Sequence, residues 1–331
     1  MGVRIIIAPE PIYCATDACR PRWRFILAAV NTSRGILQLE RANVTIHDAK
    51  KRRRRTYSGD RLTQLIVQGN RRLRRRDLVA LEIQDSGSVR RARRVCVSMT
   101  FAGKKAGHPV VSGSVELSER RTVWLDFPMA GRWLAVNARE DYHCLGSQFG
   151  FDFIAAEDRI LHEEKPPTRL RLREFASFRR PIFSPAAGTV ISCARHYPDF
   201  KATPGRPTYG TGAAEELGKL VGNHVAIALE QGQYLLLAHM RRGSVRVRAG
   251  DIVGPGQKIG EVGNSGNTTG PHLHIELMDR MPDLTSSLPA RRVDVSGLPF
   301  GFRNLDRVRR AQTRRMRRCV PRKGDIVQSR R

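Results

Sequence analysis

The chain has 331 residues, 40% of them hydrophobic and 6% aromatic, and carries a formal charge of +28 from 59 Lys and Arg against 31 Asp and Glu. That length fits two domains of ordinary size, and the apolar share is enough for packed cores, which excludes a wholly disordered chain. The charge favours anionic polymers as partners: nucleic acid, anionic lipid or cell-wall polymer.

Residues 1–30 read as irregular, with Pro9, Pro11 and Pro21 interrupting any long element. No secretory signal stands out there. The best apolar piece, Phe25-Ile26-Leu27-Ala28-Ala29-Val30, is about half the usual core length. No run of about 18 apolar residues predicts a membrane span. Six cysteines without a CxxC pair exclude both a disulfide scaffold and a zinc knuckle.

From 31 to 130, short apolar alternations recur: Ile36-Leu37-Gln38-Leu39, Val44-Thr45-Ile46, Leu78-Val79-Ala80-Leu81, Val95-Cys96-Val97, Val115-Glu116-Leu117. Several short strands at modest spacing predict an Ig-like β-sandwich. Arginine runs at 52–55, 71–76 and 90–94 fall between these strands, in loops or at sheet edges, where such charge is tolerated. Residues 51–121 hold 19 Lys and Arg against 6 acids, and 301–331 hold 12 against 2. The middle of the chain is therefore nearly neutral, and its chemistry need not share the polyanion reading.

The second half, 131–302, is strand-rich and glycine-rich. Val225-Ala226-Ile227-Ala228-Leu229, a turn at Gln231-Gly232-Gln233, and 234–238 predict a hairpin. Residues 196–221, with three prolines and four glycines, read as a long surface loop. Residues 303–331 read as a basic, weakly helical or disordered tail.

Chemistry concentrates in Gly263-Asn264-Ser265-Gly266-Asn267-Thr268-Thr269-Gly270-Pro271-His272-Leu273-His274-Ile275-Glu276-Leu277. A flexible Gly/Asn loop feeds a strand bearing His-x-His, whose period of two sends both imidazoles to one face. They can be two metal ligands, or one ligand and one acid/base group. His239 ends another strand. Zinc hydrolysis also needs a carboxylate, and Asp152 in Phe149-Gly150-Phe151-Asp152-Phe153 is a charge set among aromatics, which calls for a partner.

These residues resemble the lysostaphin-type, or duplicated-hairpin, zinc endopeptidases of peptidoglycan. The resemblance is continuous from Gly222-Asn223-His224-Val225 to the His-x-His strand and includes Ala238-His239-Met240 and Gly250-Asp251-Ile252-Val253; a weaker match reaches Gly131-Arg132-Trp133 and Asp152. It implies an antiparallel β peptidase domain over 131–302 with a groove over the metal. It implies a Zn2+ cofactor held by Asp152 and His274, with His239 and His272 positioning water and steadying the oxyanion. Asn267 and Thr268 are candidate substrate contacts. It further implies peptidoglycan as substrate and a place in the bacterial cell envelope, periplasmic or secreted.

One departure stands out. The family's first ligand histidine lies four residues before the aspartate, where this chain has Gln148, a poor zinc ligand. His143 is the nearest replacement and Cys144 the next. If neither binds, the chain is a catalytically degenerate wall-binding or regulatory protein of the same fold. Histidines 47, 108, 162 and 196 read as ordinary surface or loop residues, and His224 as strand or groove lining. The basic runs lack the aromatic pattern of RNA-binding modules, so they read as an attachment surface for anionic envelope polymers rather than a nucleic-acid site.

Overall fold

Apolar alternation marks strands through much of the first 120 residues, and they pair into two sheets. The computed structural model describes residues 2–8, 11–15, 22–48, 52–86, 92–103, 108–137, 149–158, 170–202, 216–285, 295–309 and 312–330. The chain divides into two units, Met1–Arg121 with Val293–Ser296, and Thr122–Arg292 with Gly297–Arg331. Both are mostly β, and among the described residues no helix is long and apolar enough to cross a membrane.

The first unit contains β1 (Val3–Ala8), β2 (Ile12–Ala15), β3 (Arg22–Asn31), β4 (Leu37–Asp48), β5 (Arg52–Ser58), α1 (Gly59–Gln64), β6 (Ile66–Gln68), β7 (Arg72–Leu73), β8 (Leu78–Ser86), β9 (Ala92–Ala102) and β10 (Val110–Arg120). One sheet runs β1-β3-β8-β6, and the second runs β2-β10-β9-β4-β5 with β7 also on β4. The two sheets share one core. Trp23, Phe25 and Leu27 of β3 and Val79, Leu81 and Ile83 of β8 meet Val95, Val97, Met99 and Phe101 of β9. On β4 the inward set changes parity, from Leu37 and Leu39 to Ala42, Val44 and Ile46. The register shift between Leu39 and Arg41 explains this, because one extra residue turns the following side chains over and keeps the apolar ones inside.

One expectation changes here and another narrows. Residues 1–30 are not irregular: β1 to β3 supply Val3, Ile12, Trp23 and Phe25 to the core, and Pro11 merely precedes β2. Of the two placements expected for the run at 52–55, loop or sheet edge, it takes the second: it forms the exposed edge strand β5, paired to β4 across its whole length, rather than a connection between strands. Four consecutive arginines suit that position, since a charged edge resists pairing with another chain.

The second unit contains β11 (Val123–Asp126), β12 (Arg132–Asn137), β13 (Phe151–Ala155), β14 (Pro181–Phe183), β15 (Gly188–Ala194), α2 (Leu217–Val221), β16 (Asn223–Leu229), β17 (Gln233–Met240), β18 (Ile252–Val253), β19 (Lys258–Glu261), β20 (Leu273–Met278), β21 (Phe300–Arg303), β22 (Leu305–Arg309), β23 (Gln312–Arg314) and β24 (Ile326–Ser329). A ten-stranded sheet runs β18-β15-β16-β17-β20-β13-β12-β24-β22-β23, and every neighbouring pair in it is antiparallel. The predicted hairpin is β16–β17, with Leu229 opposite Gln233 and Gly232 at φ +67°. A left-handed glycine closing a three-residue loop is a favoured hairpin geometry.

The boundary lies at Thr122 rather than near 130, because β11 pairs in parallel with β21 and so belongs to the second half. The loop expected at 196–221 ends in the short helix α2, which buries Leu217 and Val221. The expected tail at 303–331 is also corrected. β24 pairs with β12 on one side and β22 on the other, and Leu305, Cys319 and Val327 are buried.

Beside β17, Glu261 of β19 receives Arg241 Nε at 2.9 Å and Lys258 Nζ at 3.0 Å. Burial alone would raise its carboxyl pKa, but the two cations outweigh burial and hold it below its ordinary 4.5. A carboxyl depressed by folding adds stability above that ordinary value and loses it as pH falls through the lower folded value. Acid unfolding of the chain should therefore steepen below about pH 4.5, and Glu261→Gln should flatten that limb in thermal scans from pH 7 to 3; equal slopes would contradict it.

Candidate active site

β20 lies between β17 and β13, with His274 opposite Ala238 on one side and Asp152 on the other. Period-two alternation puts His272, His274 and Glu276 on the same face as Asp152. The result is a direct pair: His274 Nδ1–H donates to Asp152 Oδ1 at 2.7 Å. The second oxygen, Oδ2, accepts from Asn137 Nδ2 at 2.8 Å. Asn137 stands opposite Asp152 on β12, past a register shift. Asp152 and His274 are 7% and 8% exposed, so most of this pair is buried. Burial alone would lower the imidazole pKa; the Asp152 carboxylate, with Glu276 on the other side, overcomes it and pushes the group up to about 10.

His239 reaches this face by breaking the strand pattern. Ala238 shares the face of His274, so regular alternation would turn His239 away. Its φ of +60° is the left-handed region, which interrupts the alternation and swings the ring back. The His239 ring centroid lies 4.7 Å from His272 and 5.9 Å from His274. Backbone in that region costs about 1–3 kcal/mol and persists where surroundings enforce it, often at functional sites. Here Gly263 N–H donates to the His239 carbonyl at 3.1 Å.

Two rings of the site have a fixed tautomer. His239 Nδ1–H donates to the Ser265 carbonyl at 2.9 Å, and His272 Nδ1–H to the Gly270 carbonyl at 2.8 Å. A carbonyl can only accept, so in each neutral ring Nε2 is left with the lone pair. Burial, then the neighbouring His272 and His274, hold His239 well below its ordinary 6.5, so this ring is neutral at neutral pH and its Nε2 lone pair is available as an acceptor. His272 Nε2 lies 3.8 Å from Asp152 Oδ1.

The glycine-rich loop before β20 is pinned rather than flexible. Asn264 N–H donates to Asp199 Oδ1 and its amide to the Phe200 carbonyl. Ser265 Oγ donates to the Met240 carbonyl and accepts Asn223 N–H. Asn223 is fully buried and ties the carbonyls of Tyr197 and Met240 together. Gly266 (φ +83°) faces Gly222 (φ +69°), and a Cβ on Gly266 would sit 2.5 Å from the Leu220 carbonyl oxygen. Gly266→Ala should thus cost about 2–4 kcal/mol through strain and overpacking, read as a lowered unfolding midpoint. An unchanged midpoint would refute the close approach.

Of the candidate substrate contacts, Asn267 is half-buried and its N–H donates to Leu220. Thr268 is 2% exposed, and its hydroxyl is engaged with Asn264, Gly270 and His272, so it holds the loop and the His272 ring. His143, Cys144 and Gln148 lie outside the described residues. His224 is buried on β16, donating from Nδ1 to Gly222 and sitting 3.1 Å by Nε2 from the Ser192 hydroxyl. Sequence reasoning gave no role to Asn137, Asn223 or Glu276. Only Glu276 left a signal, as the next same-face position after His-x-His.

Among the described residues no group of three or more His, Cys, Asp or Glu side chains forms a complete metal cage. Asp152 and His274 supply a buried carboxylate and imidazole in contact, the donor chemistry zinc takes, and the third expected donor, His143, falls outside. The residues present therefore fit a zinc ion as far as they go.

Residues 174–285 match Peptidase family M23. That span contains His239, His272 and His274 but not Asp152. The chain is 35% identical over 86 residues to peptidoglycan DD-endopeptidase ShyA of Vibrio cholerae, covering 25% of this chain and 20% of that protein. It is 31% identical over 100 residues to peptidoglycan DD-endopeptidase ShyB of the same organism, covering 29% and 22%. The chain thus spans about a fifth of the length of each relative. Among solved structures, the catalytic domain of lysostaphin from Staphylococcus simulans aligns over 49% of this chain and 85% of that one, at 17% identity and a TM-score of 0.26.

Proposed function

We propose, from the match of residues 174–285 to Peptidase family M23, that the chain is a zinc-dependent endopeptidase hydrolysing peptide bonds in bacterial peptidoglycan stem peptides or cross-bridges. The observation that carries this reading is the convergence of Asp152, His239, His272 and His274 on one buried face.

Asp152 and His274, with His143 from outside the described residues, would hold the metal. Zinc in that position supplies Lewis acidity to a peptide carbonyl and makes water a better nucleophile. Everything else is done by the chain. His239, neutral and with Nε2 free of its own backbone bond, takes the proton from the attacking water. His272, its Nδ1–H fixed on Gly270, presents Nε2 beside Asp152, and only as an imidazolium, with that nitrogen protonated, would it donate to the developing oxyanion. Asn137 fixes the rotation of the Asp152 carboxylate.

In this reading the protein works at the bacterial cell envelope, periplasmic or secreted. The exposed arginines of β5 offer an attachment surface to anionic envelope polymers, an attraction that salt screens. The test is metal analysis of the purified full chain together with digestion of isolated peptidoglycan, with and without a chelator. Stoichiometric zinc and chelator-sensitive release of peptide-linked fragments are the expected result. Full digestion by metal-stripped protein would overturn the mechanism. Absence of zinc and of digestion would make the chain a non-hydrolytic wall binder.

A further inference from the structure

Glu276 is 1% exposed, on the same face of β20 as His272 and His274. A carboxylate in such a place carries a heavy desolvation cost, and an apolar residue would fill it more cheaply. Its cross-strand neighbour on β17 is Leu236, also buried. What it does face is an imidazole. Glu276 Oε1 lies 3.8 Å from His274 Nε2, ion-pair range rather than a short hydrogen bond. The other ring nitrogen, Nδ1, is turned to Asp152 at 2.7 Å. His274 thus lies between two carboxylates, one on each nitrogen, and the two are not equivalent. Asp152 sits beside His272, at 3.8 Å, on the side where the three histidines converge, whereas Glu276 is the more deeply buried.

We propose that Glu276 is the positioning residue for His274: it takes the Nε2–H edge of the ring and so commits Nδ1, the nitrogen beside Asp152, to binding a divalent cation. Metal-ligating histidines commonly hand their second ring N–H to an outer carboxylate, which fixes the tautomer and raises the basicity of the ligating nitrogen. In this chain the outer carboxylate comes from the ligand's own strand, two residues on, because the period of two delivers it to the same face without a further loop. A short motif therefore carries ligand and outer partner together. This inference rests on the zinc reading above.

The experiment uses the full chain, wild type and the variants Glu276→Gln and Glu276→Leu, with zinc affinity measured by chelator competition. Cobalt(II) substituted for zinc gives a visible spectrum that reports ligand geometry, and unfolding of the metal-free proteins separates folding from binding. Glu276→Gln keeps the volume and removes the charge. It should weaken zinc binding by about 10-fold, and Glu276→Leu by about 10–100-fold, with a shifted cobalt spectrum and no loss of metal-free stability. Unchanged affinity and spectrum in folded Glu276→Gln would overturn the proposal while leaving the zinc reading intact. A wild-type chain that takes up no zinc would bring down the zinc reading, and this inference with it. Should Glu276→Leu fail to fold, the near-isosteric Gln variant carries the test.

Discussion

Deleting residues 303–331 should abolish folding of the second unit rather than trim a disordered tail. The segment contributes β22, β23 and β24, and β24 lies between β12 and β22 in the sheet. Leu305 and Val327 are fully buried, Cys319 is 1% exposed and Val308 8%. Each such side chain is worth about 1.5–3 kcal/mol of burial, so four of them amount to about 6–12 kcal/mol, comparable with the whole stability of a domain. Two ion pairs would go as well, Arg307 with Asp325 at 3.0 Å and Arg330 with Asp306 at 3.0 Å. The truncated chain should be insoluble or lack a cooperative unfolding transition by calorimetry. A truncated protein that unfolds cooperatively near the wild-type midpoint would refute the assignment of these strands to the fold.

His239→Ala should lower peptidoglycan hydrolysis by about 10²–10⁴-fold, the usual contribution of a positioned proton acceptor. The loss should fall on turnover, because the substitution leaves Asp152 and His274 in contact on the neighbouring strands. Zinc content should therefore stay at the wild-type level. The backbone offers an internal control. His239 occupies a left-handed conformation, which Asn tolerates better than most residues and Ala less well. His239→Asn should be the more stable of the two variants and equally inactive. Digestion of isolated peptidoglycan at the wild-type rate by either variant would remove His239 from the chemistry.

Much of the site was legible because β-structure writes its faces into alternate residues. His272 and His274 share a face by spacing alone, and β20 delivers them there. The same alternation marked β4, β8, β9 and β10 of the first unit. Its limits are equally physical. β24 is four residues long, and nothing local marks Ile326-Val327-Gln328-Ser329 as a strand. It becomes one by pairing with β12, nearly two hundred residues away in sequence. Around it, arginines at 307, 309, 314, 315, 317 and 318 disguise a few buried positions as a solvated tail. β1 to β3 were hidden by the prolines among them, of which Pro11 directly precedes β2 instead of breaking it. The placement of His239 escaped for the opposite reason: regular alternation would put it on the wrong face, and one backbone angle corrects it. Thr268 and Asn223 looked like loop polars, whereas their hydrogen bonds make that loop rigid.

The order of strands in the second sheet bears on when the protein acquires its chemistry. Asp152 and His274 are 122 positions apart, yet their strands are neighbours. Ribosomes release a chain from its N-terminus, so the aspartate emerges long before the histidine that meets it. β13 has β12 on its other side, and β12 in turn is flanked by β24. Closing such long loops is slow. The contact between Asp152 and His274 therefore cannot form before β20 has emerged, well after β13.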